Sequence, residues 1–459
     1  MTTKSKSYIF LSVLVIVILG SLLFFRGIGK SKKVSIILIT VDTLRPEHLG
    51  CYGYPKNTSP NIDKFASESL LFTNCFSHAP ETRYSFASML SGYLPHETQI
   101  IKNNMLSEEV ETLTEILKKK RYKTAAVISN FLLHKSHGWS QGFDVYDDKM
   151  EDYEQVRKLP ERIAKNTTDR AIELLKGYGE DNLFMWIHYQ DPYGPYTPPQ
   201  YLTTMFEDST QEPRILNFNR SVSGYGGIPS YQRLGVNQDY HHYVSQYDAE
   251  IRYVDEQIQR LFDTLKELGR YDKDVIIFSS DHGEGMGEHN YYFAHGENLY
   301  NGLLRVPLII KYGNDHVGKR EDYVQHLDIM PTIFNILGMK KNPHFRGSDL
   351  LVDNGRRREI FAEMNSPLVS DSVKYSIIVD GLKLIHTPLF SGYQLFDLTK
   401  DAEEKHNLIK DSNYTKQIKM LKIRLKQLVN EDHLEIKVSE KKPLSKEEIE
   451  KLKSLGYLR

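Results

Sequence analysis

Two stretches of this sequence run from apolar, β-branched residues straight into groups that bind cations. "VSIILITVD" (34–42) ends in Asp42, and "DVIIFSSDHGE" (274–284) runs into Asp281 and His282. Two carboxylates and an imidazole suit a divalent metal ion. Between them lies "SHAPETRYSFASMLSG" (77–92), which offers Thr82, Ser85, Ser88 and Ser91 but no cysteine. A hydroxyl beside such a cation becomes a nucleophile, because the positive charge stabilises its alkoxide. Each group also has an ordinary alternative. An aspartate at a strand end commonly caps a turn, and a lone histidine commonly packs or hydrogen-bonds. Only a fold that brings the two strand ends together makes a site of them.

The patterning predicts such a fold. The unbroken run "IILITV" is expected of a strand buried on both faces of a parallel sheet. Its acid falls at the carboxyl edge, where ligands sit in open α/β sheets. "SPNIDKFASESLLF" (59–72) reads as a helix opened by Ser59-Pro60. "TLTEILKKKRYKTAAVIS" (112–129) reads as a helix and then a strand, "DRAIELLKGYG" (169–179) as a helix. "NLFMWIHYQD" (182–191) is a buried strand, with His188 near its end as a candidate substrate contact. "YDAEIRYVDEQIQRLFDTLKELG" (247–269) is a helix closed by Gly269, and "VPLIIKYG" (306–313) a further strand. Alternating strands and helices give an α/β fold, a mostly parallel sheet flanked by helices. Beyond residue 340 shorter strands ("KYSIIVDGLKLIHTP") and an amphipathic helix over 414–430 predict a smaller C-terminal α+β subdomain. The expected division is 1–33, 34–340 and 341–459.

Composition narrows the function classes. In 459 residues, 59 basic side chains balance 60 acidic ones, so no nucleic-acid partner is expected. Two cysteines, Cys51 and Cys75, exclude a disulfide framework. Tyr8–Phe25 is an uncharged apolar stretch near the minimum length for one transmembrane helix, and it reads as an uncleaved single-pass N-terminal anchor. Lys4 and Lys6 precede it and Arg26, Lys30, Lys32 and Lys33 follow it, so charge bias leaves two orientations open, its simplest reading being a cytoplasmic body. Four Asn-x-Ser/Thr sequons, at Asn57, Asn166, Asn219 and Asn413, carry little weight in a chain this long.

The block "IILITVDTLRPEHLGCYGYPKNTSPNIDKFASESLLFTNCFS" resembles the opening of the sulfatases, in the alkaline phosphatase superfamily. The resemblance continues in order through "APETRYSFASMLSGYLPHE", "IHYQDPYGPYTPP", "FSSDHGEGMGEH", "AHGENLYNGLLRVPLII", "VQHLDIMPTIFNILG" and the closing "LKSLGYL". It implies an alkaline-phosphatase-like fold, with Asp42, Asp281 and His282 as metal ligands. It also singles out Thr82, which stands where sulfatases carry the cysteine that becomes formylglycine, as nucleophile and metal ligand. Phe86 replaces the family's arginine, so the neighbouring Arg83 is the candidate for its charge; His295 survives near the family's later basic position as a second catalytic candidate, and Asn130, His188 and His289 are substrate-binding candidates.

The departures from the family pattern carry chemistry. Thr43 replaces the second N-terminal metal aspartate, and "ISNF" (128–131) lacks the lysine and histidine that grip sulfate. Threonine cannot form the gem-diol that expels sulfate by elimination. A threonyl intermediate needs attack by water or another acceptor, which suits phosphate monoesters, diesters or head-group transfer. The expected cofactor is one divalent ion, with Zn or Mn favoured by the histidine ligand and Ca or Mg the alternatives. The expected function is a metal-dependent hydrolase of an anionic sulfate or phosphate ester, on a glycan or lipid head group. The alternatives are a phosphodiesterase or head-group transferase, and a catalytically silent membrane-anchored binder. The resemblance implies an extracytoplasmic catalytic domain, against the basic flank of the anchor.

Overall fold

The computed structural model describes residues 34–103, 105–154, 160–352, 359–365 and 373–431. The expected anchor at Tyr8–Phe25 and the closing "LKSLGYL" lie outside them. Among the described residues no helix is long and apolar enough to cross a membrane.

From Ser35 onward the chain forms one unit around an eight-stranded sheet. Its strands are β1 (Ile36–Val41), β2 (Leu70–Phe76), β3 (Lys123–Ile128), β4 (Val145–Asp147), β5 (Leu183–Tyr189), β6 (Val275–Ser280), β7 (Arg305–Lys311) and β8 (Gly318–Gln325). Their order is β8-β2-β7-β6-β1-β5-β3-β4. Only β7 runs against the others. The central strand β1 is buried at every position, as its β-branched run requires. Helices α1 (Pro60–Ser67), α2 (Thr82–Ser91), α3 (Leu113–Lys119), α4 (Ala164–Tyr178) and α5 (Tyr240–Glu267) pack around it, α1, α4 and α5 making one layer. Helix α6 (Ile329–Ile336) contacts α2.

One expected element is corrected. The helix predicted over 59–72 stops at Ser67, and its second half opens β2. The run "LLFTNCF" pairs with both β7 and β8, so ladder bonds on two sides replace a third helical turn.

The smaller C-terminal part is a four-stranded antiparallel sheet of β9 (Glu359–Met364), β10 (Lys374–Val379), β11 (Leu382–Thr387) and β12 (Gly392–Asp397), covered by helix α7 (Thr415–Asn430). Asp380 and Gly381 form its tightest turn with φ of 51° and 77°. That is the geometry for which an Asp-Gly pair is selected between strands.

An ion pair joins this sheet to the segment that follows α2. The His96 Nδ1 lies 2.8 Å from Glu363 Oε1. Burial alone would lower the imidazole pKa. The charge of Glu363 and hydrogen bonds to it and to the Glu431 carbonyl outweigh burial and push it up to about 9. A raised histidine pKa stabilises the fold fully below its unfolded value near 6.5, and that contribution is lost as pH rises through about 9. Urea unfolding of the wild type is therefore expected to weaken between pH 7 and 10 by more than that of Glu363→Gln. Equal losses in the two proteins would overturn the coupling.

Candidate functional site

Strand register builds the site. Val41 pairs with Ser280 across β1 and β6, so Asp42 and Asp281 emerge side by side, each one residue past its strand. Thr43 follows with φ of 54°, a left-handed conformation that a β-branched residue rarely adopts. The sharp turn brings the Thr43 N–H to donate to Asp281 Oδ1 at 3.2 Å. The Tyr247 hydroxyl braces it by donating to the Thr43 carbonyl at 2.7 Å. Such outliers cluster where a site over-determines the backbone.

Helix α2 delivers the hydroxyl. All ten of its residues are buried, and Thr82 is its first. Ser85 Oγ donates to the Asp281 carbonyl at 2.6 Å, which pins the first turn over the strand ends. His326 supports the joint from below, 3.3 Å from Ser85 Oγ and 3.2 Å from Ser279 Oγ. Burial drives its pKa down to about 3, so it sits there neutral, as packing. Thr82 Oγ1 consequently lies 3.3 Å from His282 Nε2.

His282 Nε2 is the meeting point. Asp281 Oδ2 lies 3.5 Å from it and Asp42 Oδ1 4.0 Å from it. Asp42, Asp281, His282 and Thr82 are all fully buried. His282 Nδ1 lies 2.9 Å from the Gly283 carbonyl, which can only accept, so Nδ1 donates to it and Nε2 is the ring nitrogen that faces the cluster. Each carboxylate is tied by one oxygen and open at the other. Asp42 Oδ2 accepts from Asn130 Nδ2 at 2.5 Å, and Asp281 Oδ1 accepts from the His282 N–H at 2.9 Å. Asp42 Oδ1 and Asp281 Oδ2 are buried without a hydrogen-bond partner. A buried polar atom left unpartnered is costly. Two such oxygens and a bare imidazole nitrogen around one point fit a divalent cation.

The electrostatics agree. Burial and the neighbouring charge of Asp281 raise the Asp42 carboxyl above its usual range. Burial opposes ionisation of Asp281 as well, but the two histidines and the hydrogen bonds it accepts hold it below the usual range. Two carboxylates buried this close resist carrying two negative charges, a balance that a bound cation would change.

The other expected residues divide by position. His188 lies under the cluster. Trp186 Nε1 donates to Thr40 Oγ1 at 2.9 Å, Thr40 Oγ1 lies 3.0 Å from His188 Nδ1, and His188 Nε2 lies 3.6 Å from Asp42 Oδ2. Asn130 holds Asp42 through its amide nitrogen while its oxygen caps the turn at Leu132. Both therefore contact the Asp42 carboxylate. Arg83 is buried against Glu81, which accepts from its Nε at 3.1 Å. His295 reaches the cluster, its ring centroid 4.5 Å from that of His282. His289 goes elsewhere: its φ of 54° turns it onto Tyr300, with ring centroids 3.6 Å apart.

Sequence reasoning gave Glu284 no role, although it stands inside "DHGE". It is fully buried, 3.2 Å from His295 Nδ1, and accepts from the Tyr196 hydroxyl at 3.2 Å. Burial would lower the His295 pKa, but the Glu284 charge prevails and raises it. Tyr193 tilts onto the same ring at 5.5 Å. A glutamate two residues past a metal-ligand candidate was the available signal.

A parallel sheet whose carboxyl edge gathers acids, an imidazole and a helix-borne hydroxyl is the architecture of alkaline-phosphatase-like hydrolases. The chain belongs to the sulfatase family, whose model matches residues 35–339, and a second model, N-sulphoglucosamine sulphohydrolase, C-terminal, matches 287–431. It is a sulfuric ester hydrolase by that membership. It is similar to an N-acetylglucosamine-6-O-sulfatase of Bacteroides thetaiotaomicron, 25% identical over 85% of each chain. The iduronate 2-sulfatase of Homo sapiens is 27% identical over 60% of this chain and 59% of its own. Among solved structures, one complexed with its substrate D-glucosamine-2-N,6-O-disulfate superposes with a TM-score of 0.73 at 19% identity, covering 88% of this chain and 100% of that one. The phosphonate monoester hydrolase of Agrobacterium radiobacter superposes with 0.69 at 20% identity, covering 86% and 95%. At these identities the two structures establish the fold alone.

Proposed function

We propose that this chain hydrolyses an anionic sulfate or phosphate ester by covalent catalysis at Thr82. The observation that carries the reading is the convergence of Thr82 Oγ1, Asp42 Oδ1 and Asp281 Oδ2 on His282 Nε2. Asp42, Asp281 and His282 would hold one divalent cation, which would supply positive charge beside Thr82 and the oxygens of the transferred group. Zinc and manganese suit this donor set best. Thr82 gives its hydroxyl proton to solvent, Oγ1 attacks sulfur or phosphorus, and the bond to the leaving oxygen breaks. That oxygen takes a proton from His295, whose protonated form the Glu284 carboxylate favours. Water then attacks the threonyl ester and returns a proton to His295, the bond to Thr82 Oγ1 breaks, and the inorganic anion departs.

Thr82 itself favours the phosphoryl version. It has no second hydroxyl with which to expel sulfate, so release depends on external attack. Phosphate monoesters, diesters and head-group transfer tolerate that route. The names of the sulfatase relatives favour a sulfated sugar as the natural substrate class. Assays on aryl sulfate, aryl phosphate and bis-aryl phosphate separate the versions, and no turnover on any of them would leave a silent binder.

His295→Ala is expected to lower kcat by about 10²–10⁴-fold on alkyl esters. The loss should shrink on nitrophenyl esters, whose leaving oxygen needs no proton. A loss independent of leaving group would remove the acid role. The apolar stretch at 8–25 would tether the domain outside the cytoplasm. Protease that cuts the domain only after cell lysis would overturn that placement.

A further inference from the structure

The cations beside the reacting groups are already paired. Arg83, next to Thr82, is held by Glu81. Arg45, whose Nη1 donates to the Glu284 carbonyl at 3.2 Å, is held by Glu47 and Glu288. Residues 128–131 contribute no lysine or histidine. Apart from His295, these residues offer an anionic substrate little open positive charge.

Lys374 lies close by and is differently placed. It opens β10 in the smaller C-terminal part and is half-buried, so solvent reaches it. Its ammonium donates to the Glu297 carbonyl, and among the described residues no carboxylate forms an ion pair with it. Glu297 stands two residues past His295, a separation of at most about 7.6 Å between Cα atoms. The Glu297 carboxyl is engaged elsewhere: its Oε2 accepts from the Gly224 N–H at 3.3 Å, and burial raises it above its usual range. Burial pulls Lys374 below the ordinary lysine value, with the charge of Glu297 opposing it. A carbonyl satisfies one of the three ammonium protons and none of the charge. The same strip of chain carries an aromatic face. Tyr225 is 43% exposed, and its ring lies 4.7 Å from that of Tyr291. The Tyr291 hydroxyl donates to the His295 carbonyl at 2.8 Å, and the Tyr225 hydroxyl bonds the Asn298 side chain. An accessible cation and an accessible ring are thus fixed to the segment that carries His295.

We infer that Lys374 binds a second negative charge on the substrate, beyond the ester group that is cleaved, and that Tyr225 offers its ring to the sugar that bears it. The substrate class is an anionic saccharide with a further sulfate or carboxylate near the cleaved ester. This rests on the reading that the Asp42/Asp281/His282 cluster receives an anionic ester. The competing account is that Lys374 only ties β10 to the segment around His295.

Titration calorimetry on the full, metal-loaded chain decides between them, in a Thr82→Ala background that removes turnover. The probes are glucose 6-sulfate, with one charged group, and a dextran sulfate oligosaccharide, with several. Lys374→Gln keeps a donor for the Glu297 carbonyl but drops the charge. It is expected to weaken the oligosaccharide about tenfold and leave glucose 6-sulfate unchanged. Lys374→Arg should restore most of the affinity, and the gap should shrink at high salt. Lys176→Gln, which removes an exposed lysine of α4, should bind as the parent chain does and so exclude a general polyanion effect. Repeating the titrations with carboxymethyl groups beside the sulfates tells a carboxylate from a second sulfate, by which polymer loses more affinity in Lys374→Gln. Equal oligosaccharide affinity in the parent and Lys374→Gln chains would overturn the inference. So would an equal loss on both probes, which leaves Lys374 as a structural tie. A parent chain that binds neither probe removes the anionic-ester reading itself, and this inference with it.

Discussion

Thr82→Ala is expected to abolish turnover, with kcat/KM falling by at least about 10³-fold on whichever ester the wild type cleaves. The size follows from the role. Removing a nucleophile removes the covalent step, and what remains is the acceleration from binding and charge stabilisation alone. Structural damage is a poor competing account. Thr82 is the first residue of α2, where a side chain contributes little to helix formation, and Ser85 still pins the first turn to Asp281. Alanine at this position should leave the melting temperature and metal content near wild type. Thr82→Ser should keep a measurable fraction of activity, because it preserves the hydroxyl while losing the methyl group that helps fix its rotamer. A slow substrate should also leave an adduct of one sulfuryl or phosphoryl group on the wild type, detectable by mass and absent from Thr82→Ala. Equal activity in wild type and Thr82→Ala would show that water attacks directly.

The strand ends were readable because apolar runs that terminate in acids leave little choice of position. Their meeting was not, since it depends on the pairing of β1 with β6, partners more than 200 residues apart in sequence. The hydroxyl shows the same limit. Four hydroxyls lie within one turn-and-helix segment, and residue type alone does not separate them; the family resemblance singled out Thr82, and the direction of α2 sets it at the cluster while Ser85 bonds the backbone behind it. His289 and His295 looked equivalent as charged groups near a glycine-rich stretch. A positive φ at His289 sends it to Tyr300, and that backbone state is set by tertiary packing. Asn130 was expected to face an anion, and its amide nitrogen instead reaches Asp42. Residue type fixes what a side chain can donate, and the fold decides to whom. The strand Leu70–Phe76 was hidden for a related reason, because its pairing with two neighbours overrides the helical reading of its first residues.

Asp42→Asn should reverse the order of stability between the metal-free and the metal-loaded chain. In the metal-free chain Asp42 and Asp281 are buried together, and the folded state resists a second negative charge. A carboxyl whose folded pKa is raised stabilises the fold below its unfolded value, near 4, and loses that contribution as pH rises through the folded value. At pH 7 with chelator present, ionised Asp42 is therefore a liability. Asparagine removes its charge, still offers an oxygen to Asn130, and can donate its amide to the open oxygen of Asp281. The variant is expected to melt at a higher temperature than the wild type under those conditions, and the gap should narrow on acidification. Adding metal inverts the comparison. A cation present at 100 times its dissociation constant stabilises the wild type by about 2.7 kcal/mol. The variant has lost one of three ligands and gains far less. Activity should fall with it, by about 10²-fold or more, since the charge that stabilises the alkoxide is no longer held in place. Calorimetric scans of both proteins with chelator and with Zn²⁺ or Mn²⁺ read this directly. If Asp42→Asn melts below the wild type in both media, the unpartnered oxygens are not a cation's seat but part of a neutral hydrogen-bonded core, and the metal-dependent mechanism falls with them.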